Sequence, residues 1–170
     1  MTDNAFRLFR GFAVVQPGLY DGGGPVVGRL YKYIRIKFGG FFSNYADAAI
    51  AKLKTDVKSY ELLGADNVST YNVTMEAVVP AVGQTVRKSG ATSGVTQNIV
   101  SDIHATILVK YGFRIARFRD IIVVNEPFIE PGDSGSFVDL NGKFVGLAFA
   151  GGTNSGYVCK ASYIKTALGI

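Results

Sequence analysis

Residues Glu130–Ser136 read EPGDSGS and lead directly into an apolar stretch that begins with Phe137. Glycine on either side of a serine lets the backbone turn sharply and brings its N–H groups close to a bound carbonyl oxygen. The N–H groups of Gly132 and Ser134 could then stabilise a negative charge that develops on that oxygen. Asp133 is placed to hold the loop through a buried ion pair or hydrogen bonds. A glycine-containing hairpin loop with an inert serine is the alternative interpretation.

The sequence on both sides of this loop is typical of an all-β protein, because short apolar segments alternate with turn signals. Asn141-Gly142 predicts a hairpin turn, and Ala161–Leu168 followed by Gly169 predicts a C-terminal helix. Residues 48–53 fit a strand or a helical turn, and residues 54–70 are predicted to be irregular. The predicted strands are Phe6–Val15, Val26–Phe38 and residues 73–79, 84–89, 94–111, 114–124, 135–139, 143–150 and 154–160.

Composition excludes several classes of protein. The chain has 170 residues, 48% of them hydrophobic and 18% charged, which argues against a disordered chain and suggests one compact unit or two small ones. It contains one cysteine, which excludes an internal disulfide and a cysteine-rich zinc site. We expect no cofactor and no metal. Neither a secretory signal nor a membrane span is expected from the sequence, so the compartment is left as cytoplasm or a particle.

The chain resembles the trypsin/chymotrypsin-like serine proteases, and more closely a bacterial and phage group of trypsin-like peptidases. The resemblance lies in five motifs and in the spacing between them, which together cover most of residues 12–168. These motifs are Gln16–Gly23 (QPGLYDGG), Asn44–Ile50 (NYADAAI), Arg87–Thr96 (RKSGATSGVT), Glu130–Ser136 (EPGDSGS) and Val145–Gly152 (VGLAFAGG).

The resemblance implies a trypsin-like double β-barrel. Residues 1–68 would form a truncated N-terminal barrel, and residues 69–170 a complete C-terminal barrel followed by a short helix. Ser134 matches the nucleophile of the family and Asp47 the aspartate of its catalytic triad. Gly132 and Ser134 match the donors of the oxyanion hole.

The resemblance also implies a substrate-binding strand and a specificity pocket. The floor of the pocket would fall near Phe128, six residues before Ser134. An apolar residue there, with no acid nearby, does not suggest a preference for Lys or Arg. The residues that would pair with substrate and wall the pocket are Ala148, Phe149, Ala150 and Gly151.

The catalytic base is missing from the pattern. A serine hydroxyl is a weak nucleophile at neutral pH and needs a base within hydrogen-bond reach. In this fold the order along the chain is His, Asp, Ser, and no histidine precedes Asp47. The single histidine, His104, lies between Asp47 and Ser134 in a strand-like run, so we interpret it as an ordinary strand residue. No lysine has a spacing that recommends it as a base.

Two functions remain open. The first is a protease-like protein that is inactive on its own and serves as a binding or structural component, for example of a phage or another large assembly. The second is a serine endopeptidase whose histidine comes from a separate N-terminal segment or another chain. In both cases we expect a protein partner or a second copy to bind the N-terminal region, residues 1–40, because a truncated barrel leaves strand edges unpaired. Apolar side chains there support this: Phe6, Leu8, Phe9 and Phe12.

The charge of the chain bears on which other partners it could bind. The chain has a formal net charge of +5, and alternate residues of one predicted strand are cationic or aromatic, as on nucleic-acid-binding surfaces. Because the chain has no nucleic-acid-binding motif, we do not expect specific binding to nucleic acid. We expect no binding to a membrane. A peptide in the cleft is compatible with the implied fold. The alternating residues are Arg29, Tyr31, Tyr33, Arg35 and Lys37.

Overall fold

The computed structural model describes residues 12–16, 22–56 and 59–170. Most of these residues lie in strands, and the described part of the chain contains one helix. In chain order the elements are β1 (Ala13–Val15), β2 (Val26–Tyr33), β3 (Gly39–Asn44), β4 (Ala49–Leu53), β5 (Glu61–Leu63), β6 (Thr70–Asn72), β7 (Thr74–Ala77), β8 (Thr85–Gly90), β9 (Gly94–Tyr111), β10 (Arg114–Asn125), β11 (Phe137–Leu140), β12 (Lys143–Gly151), β13 (Ser155–Lys160) and α1 (Ala161–Leu168).

The described residues form two compact units. The first consists of the residues up to Ile34 together with Ala48–Ser59, and the second of Arg35–Asp47 together with Tyr60–Ile170. The second unit thus includes residues that come before the predicted boundary at residue 68. The two barrel domains predicted from the resemblance, 1–68 and 69–170, stay a prediction.

The first unit contains a three-stranded antiparallel sheet with the order β1-β2-β4. Residues 48–53, for which two structures were open, are therefore a strand. The predicted strand Val26–Phe38 was too long, because β2 ends at Tyr33. The N–H of Ile34 still donates to the carbonyl oxygen of Ala48, and the chain then enters the second unit. Of the predicted strand Phe6–Val15, the part before Phe12 lies outside the described residues.

Six strands of the second unit close into a ring. Neighbours around it are β8, β9, β10, β13, β12 and β11, and β11 bonds back to β8. All six pairs are antiparallel, whereas β7 joins β12 and β3 joins β10 in parallel. Apolar side chains from the strands, together with one from the turn after β10, form a buried core: Val86, Val100, Ile122, Val124, Phe128, Val138, Val145, Ala148 and Val158.

In the second unit, the strands, the turn and the helix end predicted from local sequence patterns agree with the structure. The predicted strands match β7 to β13 within a few residues, and Asn141 and Gly142 form the β11–β12 turn with φ angles of 54° and 79°. The helix ends where predicted, because Gly169 is left-handed and donates its N–H to Lys165. The irregular region predicted for residues 54–70 was partly wrong, since β5 and β6 pair there. Each has only three residues, too few for a detectable apolar alternation.

The helix is short and half-buried. Its inner face consists of Ala161, Ile164 and Leu168. This helix, the one in the described part of the chain, is not long and apolar enough to cross a membrane.

Candidate active site

The loop Glu130–Ser136 connects β10 to β11 and is organised around the buried carboxylate of Asp133. One carboxylate oxygen, Oδ1, accepts hydrogen bonds from the backbone N–H groups of Thr92 (2.8 Å) and Ser93 (3.1 Å). The other, Oδ2, accepts from the N–H of Glu130 (3.0 Å) and from the hydroxyl of Ser93. The prediction that Asp133 holds this loop is confirmed.

The same carboxylate forms an ion pair with Lys88 on β8. Lys88 Nζ lies 2.9 Å from Asp133 Oδ2, and both side chains are inaccessible to solvent. Lys88 Nζ also donates to Ser93 Oγ, 2.8 Å away. Burial alone would raise the pKa of Asp133, but the hydrogen bonds from Ser93, Glu130, Lys88 and Thr92 outweigh it and hold the pKa well below its usual range. Asp133 therefore carries its negative charge at neutral pH, at the centre of the loop.

Gly132 takes a backbone conformation that favours glycine, with a φ of 106°. A side chain there would also collide with Thr92 Oγ1, which is held by a hydrogen bond to the carbonyl of Pro131. Among the described residues, none accepts a hydrogen bond from the N–H of Gly132 or of Ser134. The two groups predicted to form an oxyanion hole thus have unused donor capacity.

The other end of the loop is joined to β12. The N–H of Gly135 donates to the carbonyl of Ala148 (2.7 Å), and the N–H of Ala148 donates to the carbonyl of Ser136 (3.0 Å). Ser134, between these bonds and Asp133, is exposed to solvent. Its hydroxyl donates to the carbonyl oxygen of Phe149, 3.2 Å away. A neutral carbonyl cannot remove a proton, so this contact orients Ser134 without activating it.

Ser134 lies in a cleft of about 230 Å³. Among the described residues, those that line this cleft include one acid, Glu130, and no basic side chain. The lining residues are Ile129, Glu130, Pro131, Ser134, Gly151 and Gly152.

Of the five residues predicted to bind substrate, one lines the cleft and the other four do not. Gly151, at the end of β12, lines the cleft. Phe128 and Ala148 belong to the barrel core, with 1% and 0% of their surface exposed. Phe149 is also buried and packs against Phe118 at a ring distance of 4.8 Å, and Ala150 is half-buried. The contact with Ser134 comes from the backbone of Phe149 rather than from its ring.

Asp47 follows β3 and lies in the second unit. Its carboxylate oxygen Oδ2 accepts a hydrogen bond from the hydroxyl of Tyr111 (2.7 Å), and its N–H donates to Cys159 Sγ (3.2 Å). Burial, assisted by the hydrogen bond to Asp47, raises the pKa of Tyr111, and burial raises that of Cys159. Cys159 pairs with Leu147 on β12, two residues before Phe149. Asp47 and Ser134 are thus both bonded to the β12–β13 pair.

His104 is paired with a different aspartate. It lies on β9 as predicted, its side chain is 72% exposed, and its Nδ1 is 2.5 Å from Asp120 Oδ1. Asp120 also accepts hydrogen bonds from Lys160 Nζ (2.6 Å) and the hydroxyl of Tyr163 (2.7 Å). Burial would raise the pKa of Asp120, but the bonds from Lys160, Tyr163 and His104 prevail and lower it to about 2. The single histidine of the chain thus has Asp120 as its hydrogen-bond partner.

One acid lies next to the predicted pocket floor and was not expected from the sequence. Glu126 lies two residues before Phe128, so the statement that no acid is near the pocket floor was wrong. Its Oε2 accepts hydrogen bonds from the N–H groups of Phe128 and Ile129. Its Oε1 is buried and has no hydrogen-bond partner among the described residues. The apolar residue six positions before Ser134 gives no sign of this acid, because the turn after β10 is what brings the Glu126 carboxylate to the backbone of Phe128 and Ile129.

Within residues 12–16, 22–56 and 59–170, no group of three or more His, Cys, Asp or Glu side chains could hold a metal ion. A scan of the sequence against protein-family models and a comparison with curated proteins gave no match.

Comparison with solved structures did find similar folds. A glutamic-acid-specific serine protease that uses a histidine triad in substrate binding is 20% identical, covers 98% of this chain and 81% of its own, and superposes with a TM-score of 0.66. The Cellulomonas bogoriensis chymotrypsin is also 20% identical, covers 94% of this chain and 87% of its own, with a TM-score of 0.64. The Nocardiopsis protease is 15% identical and covers 82% and 70%, with a TM-score of 0.65.

Proposed function

We propose, from the trypsin/chymotrypsin-like fold that this chain has, that it binds peptides in the Ser134 cleft and does not hydrolyse them on its own. It would act as a binding or structural component of a larger assembly, such as a phage particle. The observation that carries the proposal is the hydrogen bond from Ser134 Oγ to the carbonyl of Phe149. In an active serine protease this proton goes to a histidine.

The distribution of basic side chains supports the lack of activity. The proton of Ser134 needs an acceptor with a pKa near the working pH. The single histidine is bonded to Asp120, and Lys88 is bonded to Asp133 and Ser93. Neither makes a hydrogen bond to Ser134, so no described residue serves as its base.

The binding role is supported by the part of the site that needs no base. The loop that carries Ser134 is held by a buried ion pair, and the N–H groups of Gly132 and Ser134 are available to a carbonyl oxygen. Such preformed donors bind a substrate carbonyl whether or not the chemical step follows.

The test compares the purified chain with its Ser134→Ala variant. Both are incubated with a broad peptide library, and cleavage is followed by mass spectrometry. We expect no Ser134-dependent cleavage and measurable binding of peptides by both proteins. Turnover that disappears in Ser134→Ala would overturn the proposal. Slow labelling of Ser134 by a fluorophosphonate would not, because an ordered oxyanion hole can capture a reactive probe without a base.

A second function, a serine endopeptidase whose histidine lies outside these 170 residues, is favoured by one observation. Asp47 uses Oδ2 to accept from Tyr111, and its Oδ1 accepts no hydrogen bond from the described residues. That oxygen is available to orient an imidazole, as the aspartate of a triad does. Mixing the chain with candidate histidine-bearing segments from its neighbouring coding sequence, and measuring Ser134-dependent cleavage, distinguishes the two functions.

We further propose that a protein partner or a second copy binds the N-terminal region, about residues 1–40. Phe6, Leu8 and Phe9 lie outside the described residues. The described part supports the proposal through its exposed apolar surface, since Phe12 is 51% exposed and Tyr31 64%. Such side chains gain most when a partner covers them.

A further inference from the structure

We infer that the surface around β3 and the β9–β10 turn binds an anionic lipid bilayer, with Phe41 and Phe113 inserted among the lipids and the surrounding cations paired with the headgroups. Neither phenylalanine lines the Ser134 cleft. The protein leaves both almost entirely in water, since Phe41 is 98% exposed and Phe113 95%.

The two phenylalanines belong to neighbouring segments of one sheet. Phe113 lies in the turn between β9 and β10, and Phe41 lies on β3, which pairs with the first half of β10 from Ala116 onward. Arg117 on β10 joins the segments, because its Nη2 donates to the carbonyl oxygen of Phe41 (3.3 Å) and to Ser43 Oγ (3.2 Å). Phe41 and Phe113 are therefore held beside the same end of β10.

Other apolar side chains extend this surface along the β9–β10 hairpin. Ile115 on β10 pairs with Lys110 on β9. Two positions further along β10, Arg117 pairs with Leu108, so both pairs lie on one face of the hairpin. Ile115 is 53% exposed and Leu108 67%, and Phe42 on β3 is 54% exposed. Large apolar side chains grouped in this way mark a surface that another molecule covers.

The charge around these apolar side chains has one sign. Residues 35–46 and 105–119 contain Lys and Arg but no Asp or Glu. The acids next to these segments, Asp47 and Asp120, are half-buried and accept hydrogen bonds from Tyr111 and Lys160. A cationic surface of this kind is complementary to an anionic one. The cations of the two segments are Arg35, Lys37, Lys110, Arg114, Arg117 and Arg119.

The mixture of side chains favours lipid as the partner. Bases of a single-stranded nucleic acid would stack on the phenylalanines, but Ile115 and Leu108 have no ring on which a base could stack. A second copy of the chain would bring the same positive charge to the interface, which is repulsive. The boundary layer of a bilayer takes up aromatic and aliphatic side chains alike, and its anionic headgroups attract the cations around them.

No membrane binding was expected from the sequence, because this surface is assembled from distant segments. Phe41 and Arg117 are 76 positions apart, and it is the pairing of β3 with β10 that brings them together. A protein that lies on a bilayer in this way needs no membrane-spanning segment.

Sedimentation with lipid vesicles tests the contribution of the aromatic side chains. The full chain is mixed with vesicles of equal parts phosphatidylserine and phosphatidylcholine, and separately with vesicles of phosphatidylcholine alone. The variant is Phe41→Ser/Phe113→Ser. The matched control is Val68→Ser/Val82→Ser, which changes two apolar residues of the same unit that are 84% and 60% exposed.

A second pair of variants tests the charge. Lys37→Gln/Lys110→Gln removes two exposed cations from this surface. Lys52→Gln/Lys54→Gln makes the same change in net charge at two exposed residues of the first unit and serves as the control.

We expect the native chain to bind the anionic vesicles at least about tenfold more tightly than the neutral ones. Phe41→Ser/Phe113→Ser should lose at least about tenfold in affinity, because its insertion into the bilayer is lost. Lys37→Gln/Lys110→Gln should also lose about tenfold or more, since each cation near an anionic membrane contributes about fivefold. Both controls should keep the affinity of the native chain.

A fluorescence measurement reports insertion directly and does not depend on these variants. The chain contains no tryptophan, so Phe113→Trp introduces a single fluorophore in the β9–β10 turn. Its emission should shift to shorter wavelength when anionic vesicles are added, and lipids with brominated acyl chains should quench it. Val68→Trp, as the control, should show neither change.

Failure of the native chain to bind anionic vesicles would overturn the inference. Binding that Phe41→Ser/Phe113→Ser retains would also overturn it, because charge alone would then account for the adsorption, and so would the absence of quenching in Phe113→Trp. If the chain instead binds a fluorescent oligothymidine and Phe41→Ser/Phe113→Ser abolishes that binding, the surface is a nucleic-acid site. None of these results affects the proposed binding of peptides in the Ser134 cleft.

Discussion

Lys88 Nζ and Asp133 Oδ2 lie 2.9 Å apart, and neither side chain is accessible to solvent. Lys88 is on β8, whereas Asp133 belongs to the loop before β11, and these two strands are neighbours in the barrel ring. The ion pair therefore joins the loop Glu130–Ser136, the serine loop, to the barrel wall. Since breaking a buried pair leaves a charge without compensation, its loss should be far more costly than the loss of a surface pair.

Replacing Lys88 by methionine should lower the free energy of unfolding by about 3–5 kcal/mol, because Asp133 would stay buried without its counter-charge. Urea denaturation followed by circular dichroism measures the change. The matched control is Lys143→Met, which breaks the exposed pair with Glu76 (side chains 48% and 62% exposed) and should cost less than about 1 kcal/mol. Equal losses in the two variants would contradict the structural role of Lys88.

Gly132→Ala should destabilise the protein more than Gly135→Ala. Both glycines have positive φ, at 106° and 94°, so both variants carry backbone strain. Only at Gly132 would the new Cβ collide with Thr92 Oγ1, since no atom lies within 4 Å of that position at Gly135. We expect a difference of about 1–2 kcal/mol in the free energy of unfolding, measured by denaturant titration. The prediction fails if Gly135→Ala is as unstable as Gly132→Ala.

Asp120→Asn should make stability less sensitive to acid. The pKa of Asp120 is lowered to about 2 in the folded chain, below the value of about 3.9 that is usual in an unfolded chain. The unfolded state therefore binds the proton first, so the stabilisation is present above about pH 4 and is lost as the pH falls towards 2. Asparagine tolerates the φ of 58° at this position.

Unfolding measured between pH 2 and pH 7 checks this. The difference between the native chain and Asp120→Asn should shrink from about 2 kcal/mol at neutral pH towards zero near pH 2. Asp133 is present in both proteins, so its own titration cancels in the difference. A difference that stays constant over this range would show that the carboxylate of Asp120 contributes no pH-dependent stability.

Free imidazole should restore some chemistry if Asp47 and Ser134 face each other across a gap that a histidine ring would fill. With p-nitrophenyl acetate and molar imidazole, we expect the native chain to exceed its Ser134→Ala variant by about tenfold in protein-dependent hydrolysis. Asp47→Asn should reduce this gain, because the orienting carboxylate is lost. Identical rates for the native chain and Ser134→Ala would remove the second proposed function.

Association through the N-terminal region should depend on its exposed apolar side chains. Analytical ultracentrifugation of the chain beside a Val26→Ser/Tyr31→Ser double variant tests this, since these two residues of β2 are 41% and 64% exposed. We expect the native chain to self-associate at tens of micromolar and the double variant to remain monomeric. Phe113→Ser, which changes a 95% exposed residue of the second unit, is the control. A native chain that stays monomeric would rule out self-association.

Much of the second unit could be predicted because its signals are local. The Asn141-Gly142 turn, the end of α1 at Gly169 and the alternation along β9 and β10 each depend on a few neighbouring residues. The role of Asp133 could also be predicted. Gly132 and Ser134-Gly135 flank it in the sequence, so Asp133 is the residue of this stretch whose side chain can hold the loop by an ion pair or hydrogen bonds.

The contacts that the sequence did not reveal are long-range. Lys88 reaches Asp133 across 45 positions of the chain, and Tyr111 reaches Asp47 across 64. Nothing near either residue indicates its partner, because the pairing depends on which strands become neighbours in the ring. The limit was different for Glu126, which is close in sequence to the predicted pocket floor. The position of its carboxylate depends on the turn after β10, which the sequence did not predict.

The ring of strands has a consequence for how the cleft comes into existence. β11 has only four residues, yet it closes the ring by bonding β8 on one side and β12 on the other. The serine loop leads directly into β11. If β11 separated from β8, the loop would lose its position and the cleft would be lost with it. Binding and ring closure then form one coupled equilibrium. A peptide in the cleft should slow amide hydrogen exchange in β8, a strand of which no residue lines the cleft.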